Sequence, residues 1–210
     1  MTATLPPQRL DQLSRLRAAM TAPSGRVAVV NVPMGNFLMV DGRGDVAGEP
    51  FACAVRTLAD LSAAVRLYLQ ESEGALFDPM PLEILWSAPD DEEWQAAMPR
   101  TWTWTAMVAQ PGRVTPELIA ALREQIATGH PAETLCRIRL GSLREGLCAQ
   151  VAPAGPAQPA APVLESLREQ IRAMGYRPHG PHHEIYLADL RHRAAAHLRT
   201  IVRQPIHPAG

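Results

Sequence analysis

From Arg26 onward the chain alternates short apolar runs of strand length with longer stretches whose apolar residues recur at helical spacing. Arg26–Val32 is strand-like and Pro33 ends it. After Gly35, Asn36–Val40 reads as a second strand, and Asp41-Gly42-Arg43-Gly44-Asp45 has turn chemistry. Positions 51, 54, 55, 58, 61, 65 and 69 form an apolar stripe, which predicts a long helix lying on a sheet. Glu71–Pro79 reads as a loop, Leu82–Trp86 as a strand and Pro89–Glu93 as a solvated acidic turn. In Thr101–Val108, Trp102, Trp104 and Ala106 share one face, and the threonines and Met107 the other. Thr115 caps a helix with Pro116 at its first position and Gly129 at its end. Arg137–Leu140 and Gly146–Val151 alternate as strands, and Ala152–Ala161 reads as a loop. Pro162–Met174 has a helical stripe, Glu184–Leu187 is a strand, Asp189–His197 is a connection and Leu198–Ile206 is the last strand. Ahead of all this, Leu10, Leu13, Leu16 and Met20 mark a short amphipathic helix within Pro7–Met20.

The order strand, helix, strand, strand occurs twice. The first copy runs Phe37–Val40, Phe51–Leu69, Leu82–Trp86 and Trp102–Val108; the second runs Leu147–Val151, Pro162–Met174, Glu184–Leu187 and Leu198–Arg203. One copy alone leaves a sheet edge and an apolar face open, and two copies bury them against each other. The expected fold is α+β: duplicated β-α-β-β units in a pseudo-symmetric antiparallel sheet, with helices on one side and a central ligand groove. The expected organisation is an N-terminal helix-and-strand appendage over 1–33 and a domain over 34–206, with halves at about 34–114 and 144–206.

Composition narrows the function. The chain has 210 residues, 47% of them hydrophobic, which is enough for a real core. A net charge of −1 without a dominant basic patch argues against direct nucleic-acid binding. All 20 basic residues are arginine, so no lysine is available for Schiff-base chemistry. Cys53, Cys136 and Cys148 are odd in number and lack a C-x-x-C pair, which points to a reducing, cytoplasmic setting. No signal-peptide core and no apolar run of roughly 18 residues occurs, so no membrane partner is expected.

The chemically suggestive stretch is His182-His183-Glu184-Ile185-Tyr186-Leu187, where Glu184 and Tyr186 share one strand face and Ile185 and Leu187 the other. On an ordinary antiparallel strand such a pair faces solvent. If the face lines a cavity, the carboxylate needs a cation or hydrogen bonds to answer its charge. The duplication puts Trp86 in the same place in copy one, and so brings Glu184, Tyr186, Trp86, Trp102 and Trp104 towards one pocket. Six of the seven histidines fall between 179 and 207, but adjacent histidines on a strand diverge; surface positions are expected for them, and no metal or other cofactor. Cys148 sits in an apolar strand, where a buried thiol stays protonated and inert.

The run from His182 to Asp189, then Arg191 and Leu198–Arg203, resembles the closing signature of the GyrI-like small-molecule-binding family. Asn36–Asp45 is similar to that family's first strand and glycine turn, Thr101–Thr115 to its central strand and helix start, and Glu145–Gln150 with Gly155-Pro156 to the opening of its second half. The resemblance spans about residues 34–206. It implies the duplicated fold, a central groove, and an acidic residue there, Glu184 by motif, that meets planar cationic drugs, as in effector domains of multidrug-sensing transcription activators. Some stand-alone members hydrolyse cyclopropane-containing natural products, and others are named for gyrase inhibition. The sequence departs from the pattern at Ala63 and Ala157, where many members carry tyrosine, and at Leu190, where proline is expected. A lost phenol enlarges a pocket and removes a donor.

The ligand-lining candidates are thus Glu184, Tyr186, Trp86, Trp102, Trp104, Phe37 and Met107. The expected function is binding of a planar, aromatic or cationic xenobiotic-type small molecule. The alternative is a hydrolase of cyclopropanoid electrophiles in the same groove, with Glu184 as base or water-orienting group beside Tyr186.

Overall fold

The structure is a computed structural model that describes residues 11–44, 46–87, 102–153, 160–187 and 200–210, with the side chains of 11, 160 and 161 left aside. The expected acidic turn at Pro89–Glu93, the connection at Asp189–His197, and the motif positions Ala157, Leu190 and Arg191 lie outside the described residues. In chain order the elements are α1 (Asp11–Ala18), β1 (Ala28–Val32), β2 (Gly35–Arg43), α2 (Glu49–Glu73), β3 (Leu82–Ser87) and β4 (Thr103–Gln110). Then follow α3 (Pro116–Ile126), a 3-10 turn at Ala127–Gly129, α4 (Ala132–Arg137), β5 (Arg139–Leu143) and β6 (Gly146–Val151). The chain ends with α5 (Ala160–Ala173), β7 (Tyr176–Pro178), β8 (His182–Tyr186) and β9 (Thr200–Pro208).

Among the described residues the strands form one antiparallel sheet in the order β1-β6-β9-β8-β3-β4-β2-β5, with β7 pairing off the path to β9. The duplication is visible in that order. β2-α2-β3-β4 and β6-α5-β8-β9 meet at β3 and β8, which pair from Leu82↔Tyr186 to Trp86↔His182. The strand preceding each copy crosses to the other copy. β1 precedes β2 but pairs with β6, and β5 precedes β6 but pairs with β2. The 26–32 strand therefore completes the sheet of the second half, and each half's outer strand is covered by the other's leader.

The register settles which side chains share a face. α2 and α5 lie on one face. α2 buries Ala54, Leu58, Leu61, Val65 and Leu69 in a core that contains Leu38, Val40, Ala106 and Val108 of β2 and β4. α5 buries Val163, Leu164, Leu167 and Ile171 with Ala149, Val151, Val202 and Ile206 of β6 and β9. Each of the leucine, valine and isoleucine side chains among them contributes about 1.5–3 kcal/mol by leaving water. The two helix-on-sheet cores stay separate, and the central strands β3 and β8 run between them. α1 lies against the opposite face, where its Leu16 sits over Gly35 beside Phe37.

Several boundaries differ from the sequence reading. Arg137 and Ile138 are not strand: Ala132–Arg137 is a helical turn with Glu133 in its first turn and Arg137 in its last, and β5 starts at Arg139. α2 runs on through Glu71 to Glu73 and stops where Gly74 takes φ 63°. Tyr176–Pro178 is a short strand, pairing with β9, that the sequence reading leaves unassigned, since three residues carry no periodic signal. Thr115 caps α3 as read, accepting from the Leu118 N–H at 3.3 Å.

Gly42 shows how tightly the sheet face is packed. A β-carbon there would meet the Trp104 ring at 2.0 Å, and Trp104 is itself held edge-on by Phe51 of α2 at a centroid distance of 5.0 Å. Gly42→Ala is therefore expected to destabilise the protein by about 1–3 kcal/mol through overpacking. Urea unfolding followed by Trp fluorescence measures it, and an unchanged midpoint would refute the packing account.

Candidate functional site

On the helix side of the two central strands the register aligns Leu82, Ile84 and Trp86 of β3 with Tyr186, Glu184 and His182 of β8. Glu184 sits at the middle of this strip and is 4% exposed. The Tyr186 hydroxyl donates to its Oε2 in a short contact, and His182 Nε2 lies 3.4 Å from its Oε1. His182 stacks on Trp86 with centroids 6.2 Å apart and 15° between planes. Trp102 stands edge-on to both, at 6.2 Å from Trp86 and 5.9 Å from His182. Trp104 is the cross-strand partner of Trp86, on the same face. The structure thus brings together Glu184, Tyr186, Trp86, Trp102 and Trp104 around a residue the sequence reading placed on the surface, His182, which is 1% exposed. Phe37 and Met107 are not part of this group. Both are buried on the other face of the sheet, with Met39 opposite Met107 across β2 and β4.

Burial and hydrogen bonding set the protonation states. Burial pushes the Glu184 carboxyl up, but the His182 hydrogen bond and charge and the Tyr186 hydroxyl outweigh it, so the net direction is below the ordinary carboxylate value. The Trp86 indole N–H, outside hydrogen-bond geometry, acts in the same direction. Burial pushes His182 down, with only partial compensation from Glu184. Burial, then the Glu184 charge, pushes the Tyr186 phenol well above its ordinary value. At neutral pH the strip holds a carboxylate, a neutral imidazole and a protonated phenol. It therefore carries a buried carboxylate held by a phenol and an imidazole, with the Arg168 charge near enough to act on His182. Tyr186 can donate a hydrogen bond but cannot serve as a base.

Tyr186 also lines a cavity of about 470 Å³ beside the strip. Leu82 and Val108 line it from the sheet, and Ala59, Ser62 and Ala63 from α2. Ala63, where the resemblance places a tyrosine in many members, is among the residues lining it.

The opposite face of the same strands holds a second buried polar group that the sequence reading missed. His183 is 0% exposed; its Nδ1 lies 3.0 Å from Glu145 Oε1 and its Nε2 3.1 Å from Glu83 Oε2. Arg203 pairs with Glu145 at 2.8 Å and donates to Gln150 and to the Ala19 carbonyl, each at 2.8 Å. Gln150 donates to the carbonyls of Ala19 and Thr21, both at 3.0 Å. The cluster fastens the end of α1 to the sheet. Its sequence signal was a single carboxylate, Glu83, in the otherwise apolar run Leu82–Trp86. Cys148, on this face, has its thiol pushed up to about 12 by burial. Among the described residues no group of three or more His, Cys, Asp or Glu side chains could hold a metal ion. No helix among them is long and apolar enough to cross a membrane.

No family model matches the sequence, and no curated protein matches it. Solved structures do. An uncharacterized conserved protein from Listeria innocua is 28% identical, with a TM-score of 0.79 over 90% of this chain and 96% of its own. A hydrolase from Listeria innocua is also 28% identical, with a TM-score of 0.74 over 91% and 96%. The EcmrR C-terminal domain shares the fold at 11% identity, with a TM-score of 0.53 over 87% and 98%.

The back-face cluster makes stability depend on pH. Burial alone would push His183 down; the Glu145 charge and hydrogen bond, with Glu83, hold it up at about 9. Burial likewise pushes Glu145 up, and His183 and Arg203 hold it down at about 2. A raised histidine stabilises fully below its unfolded value of about 6.5, and that stabilisation is lost as pH rises through about 9. The depressed Glu145 stabilises above its unfolded value, and that contribution is lost as pH falls through about 2. Unfolding free energy should therefore drop by a few kcal/mol, on the order of 3, between pH 6.5 and 9.5, and His183→Gln should remove most of that slope. Urea titrations of both proteins across this range measure it; parallel slopes would rule the cluster out as the cause.

Proposed function

We propose that this chain, which belongs to the GyrI-like domain family by its fold, binds planar aromatic or cationic small molecules over its two central strands, in the groove between α2 and α5. One observation carries this reading: the Glu184 carboxylate is held ionised at 4% exposure, among Trp86, Trp102, His182 and Tyr186. A carboxylate kept ionised while buried costs desolvation, and such groups cluster where a ligand is bound. A flat cation supplies an opposite charge, while indole faces add stacking and cation–π attraction. Tyr186 both lines the cavity and donates to Glu184, so a ligand entering the cavity meets the phenol first and the carboxylate behind it. A cytoplasmic setting suits Cys53, Cys136 and Cys148, all free thiols.

The likeness to the Listeria innocua hydrolase supports a second reading in the same groove. There Glu184 would take a proton from water as the water oxygen bonds to an electrophilic cyclopropane carbon. The ring bond breaks, and its electron pair passes into the conjugated planar system of the substrate, which is then protonated. Tyr186, protonated at neutral pH, would orient the carboxylate.

One experiment separates the two. Planar cationic dyes and cyclopropane-bearing electrophiles are incubated with the protein, Trp fluorescence follows binding, and mass spectrometry identifies what is recovered. For a binder, compounds return unchanged and Glu184→Gln weakens cation affinity about tenfold or more. For a hydrolase, a product heavier by one water appears and vanishes in Glu184→Gln while neutral ligands still bind. Absence of both quenching and product would refute the groove as a site for these ligands.

A further inference from the structure

The cavity beside Glu184 has a charge character that the carboxylate strip does not predict. Its described lining contains no Asp or Glu, but it contains two arginines, Arg17 from α1 and Arg66 from α2. Arg17 is held in place by the backbone: its guanidinium donates to the Asp78 and Pro79 carbonyls at 3.2 and 3.1 Å. Those bonds go to neutral oxygens, and the residue itself is exposed. Arg66 is half-buried, and among the described residues it has no hydrogen-bond or ion-pair partner. A cation that is partly withdrawn from water and has no counter-charge is poised for an anion.

The helix face around Arg66 is shaped for such a ligand. Ala59, Ser62, Ala63 and Arg66 fall at i, i+3, i+4 and i+7 on α2, so they share the side turned to the cavity. The two alanines leave room. The Ser62 oxygen accepts from Gln110 Nε2 at 2.9 Å, which leaves its own O–H proton free to donate. The cavity wall thus offers a guanidinium fork and a hydroxyl on one helix face, with a second guanidinium, Arg17, in the same lining. That set of donors matches a planar oxyanion.

We propose that this cavity takes an anionic group, so that the ligand of the groove is a planar aromatic molecule bearing a carboxylate or a similar oxyanion, bound by Arg66 with Ser62 and Arg17. The proposal rests on the groove reading above and adds the ligand class. The aromatic body lies toward Tyr186 and the tryptophans, the oxyanion toward α2. Any cationic centre the ligand carries sits at the opposite end, near Glu184, which makes a zwitterion the best match to the full site.

The test uses two fluorescent probes of one shape, anthracene-9-carboxylate and 9-anthracenemethanol. Anisotropy titrations give the affinity of each for the wild-type protein, Arg66→Met and Arg66→Lys. The readout is the acid-to-alcohol affinity ratio, which does not depend on the fraction of variant protein that folds. It should be about tenfold or more in wild type, fall close to one in Arg66→Met, and recover in part in Arg66→Lys. Raised salt should lower it in wild type. If the alcohol binds but the wild-type ratio is near one, or if Arg66→Met leaves the ratio unchanged, the oxyanion assignment is overturned and the groove stands. If neither probe binds, the groove reading fails and this inference falls with it.

Discussion

The pairing of β3 with β8 is the contact on which the rest of the structure depends. Its antiparallel register, from Leu82↔Tyr186 to Trp86↔His182, joins the two halves at their pseudo-symmetry axis. A shift by one residue would turn every side chain of β8 to the other face. Glu184 would then leave the groove and enter the back of the sheet, and His183 would lose Glu145 and Glu83. The seam is reinforced at the sheet's edges, because β1 and β5 each pair with the half they do not precede. Neither half has a complete sheet without the other, so the groove above the seam is a property of the whole chain.

The two faces of the seam solve the burial of charge in opposite ways. Behind the sheet, His183 lies between Glu83 and Glu145, and Arg203 lies against Glu145, so that each charge there has a neighbour of opposite sign. A buried pair of this kind adds little net stability over an apolar packing but is costly to break, and here it also fixes where α1 ends. In front, burial keeps His182 neutral while Glu184 stays ionised, held by the hydrogen bonds of Tyr186 and His182, with the Arg168 charge acting on His182. The two faces, one residue apart along the same strand, thus hold their buried carboxylates by different means: ion pairs behind, hydrogen bonds in front.

The same asymmetry extends into the cavity. The negative strip is screened by Tyr186, and the cavity beyond it presents arginines. On the proposed reading, a groove with one sign of charge at depth and the other at the helix wall selects by the spacing of charges on the ligand as well as by flatness.

Periodicity along the chain determined most of the secondary structure. The stripe from 51 to 69, the Thr115 cap, the alternation at 101–108 and the repeated strand-helix-strand-strand order all follow from side-chain spacing, which local sequence carries. The pairing of Glu184 with Tyr186 on one strand face followed from the same rule. What periodicity cannot carry is which strand lies beside which, because that depends on contacts far apart in sequence. Tertiary structure alone decided that β1 crosses to the second half, that Phe37 and Met107 sit behind the sheet, and that His182 and His183 are buried on opposite faces. It also decided the electrostatics. Glu83, Glu145, His183 and Arg203 come from three strands and a turn, and Arg17 and Arg66 from two helices, so their proximity exists only once the sheet has closed over its seam.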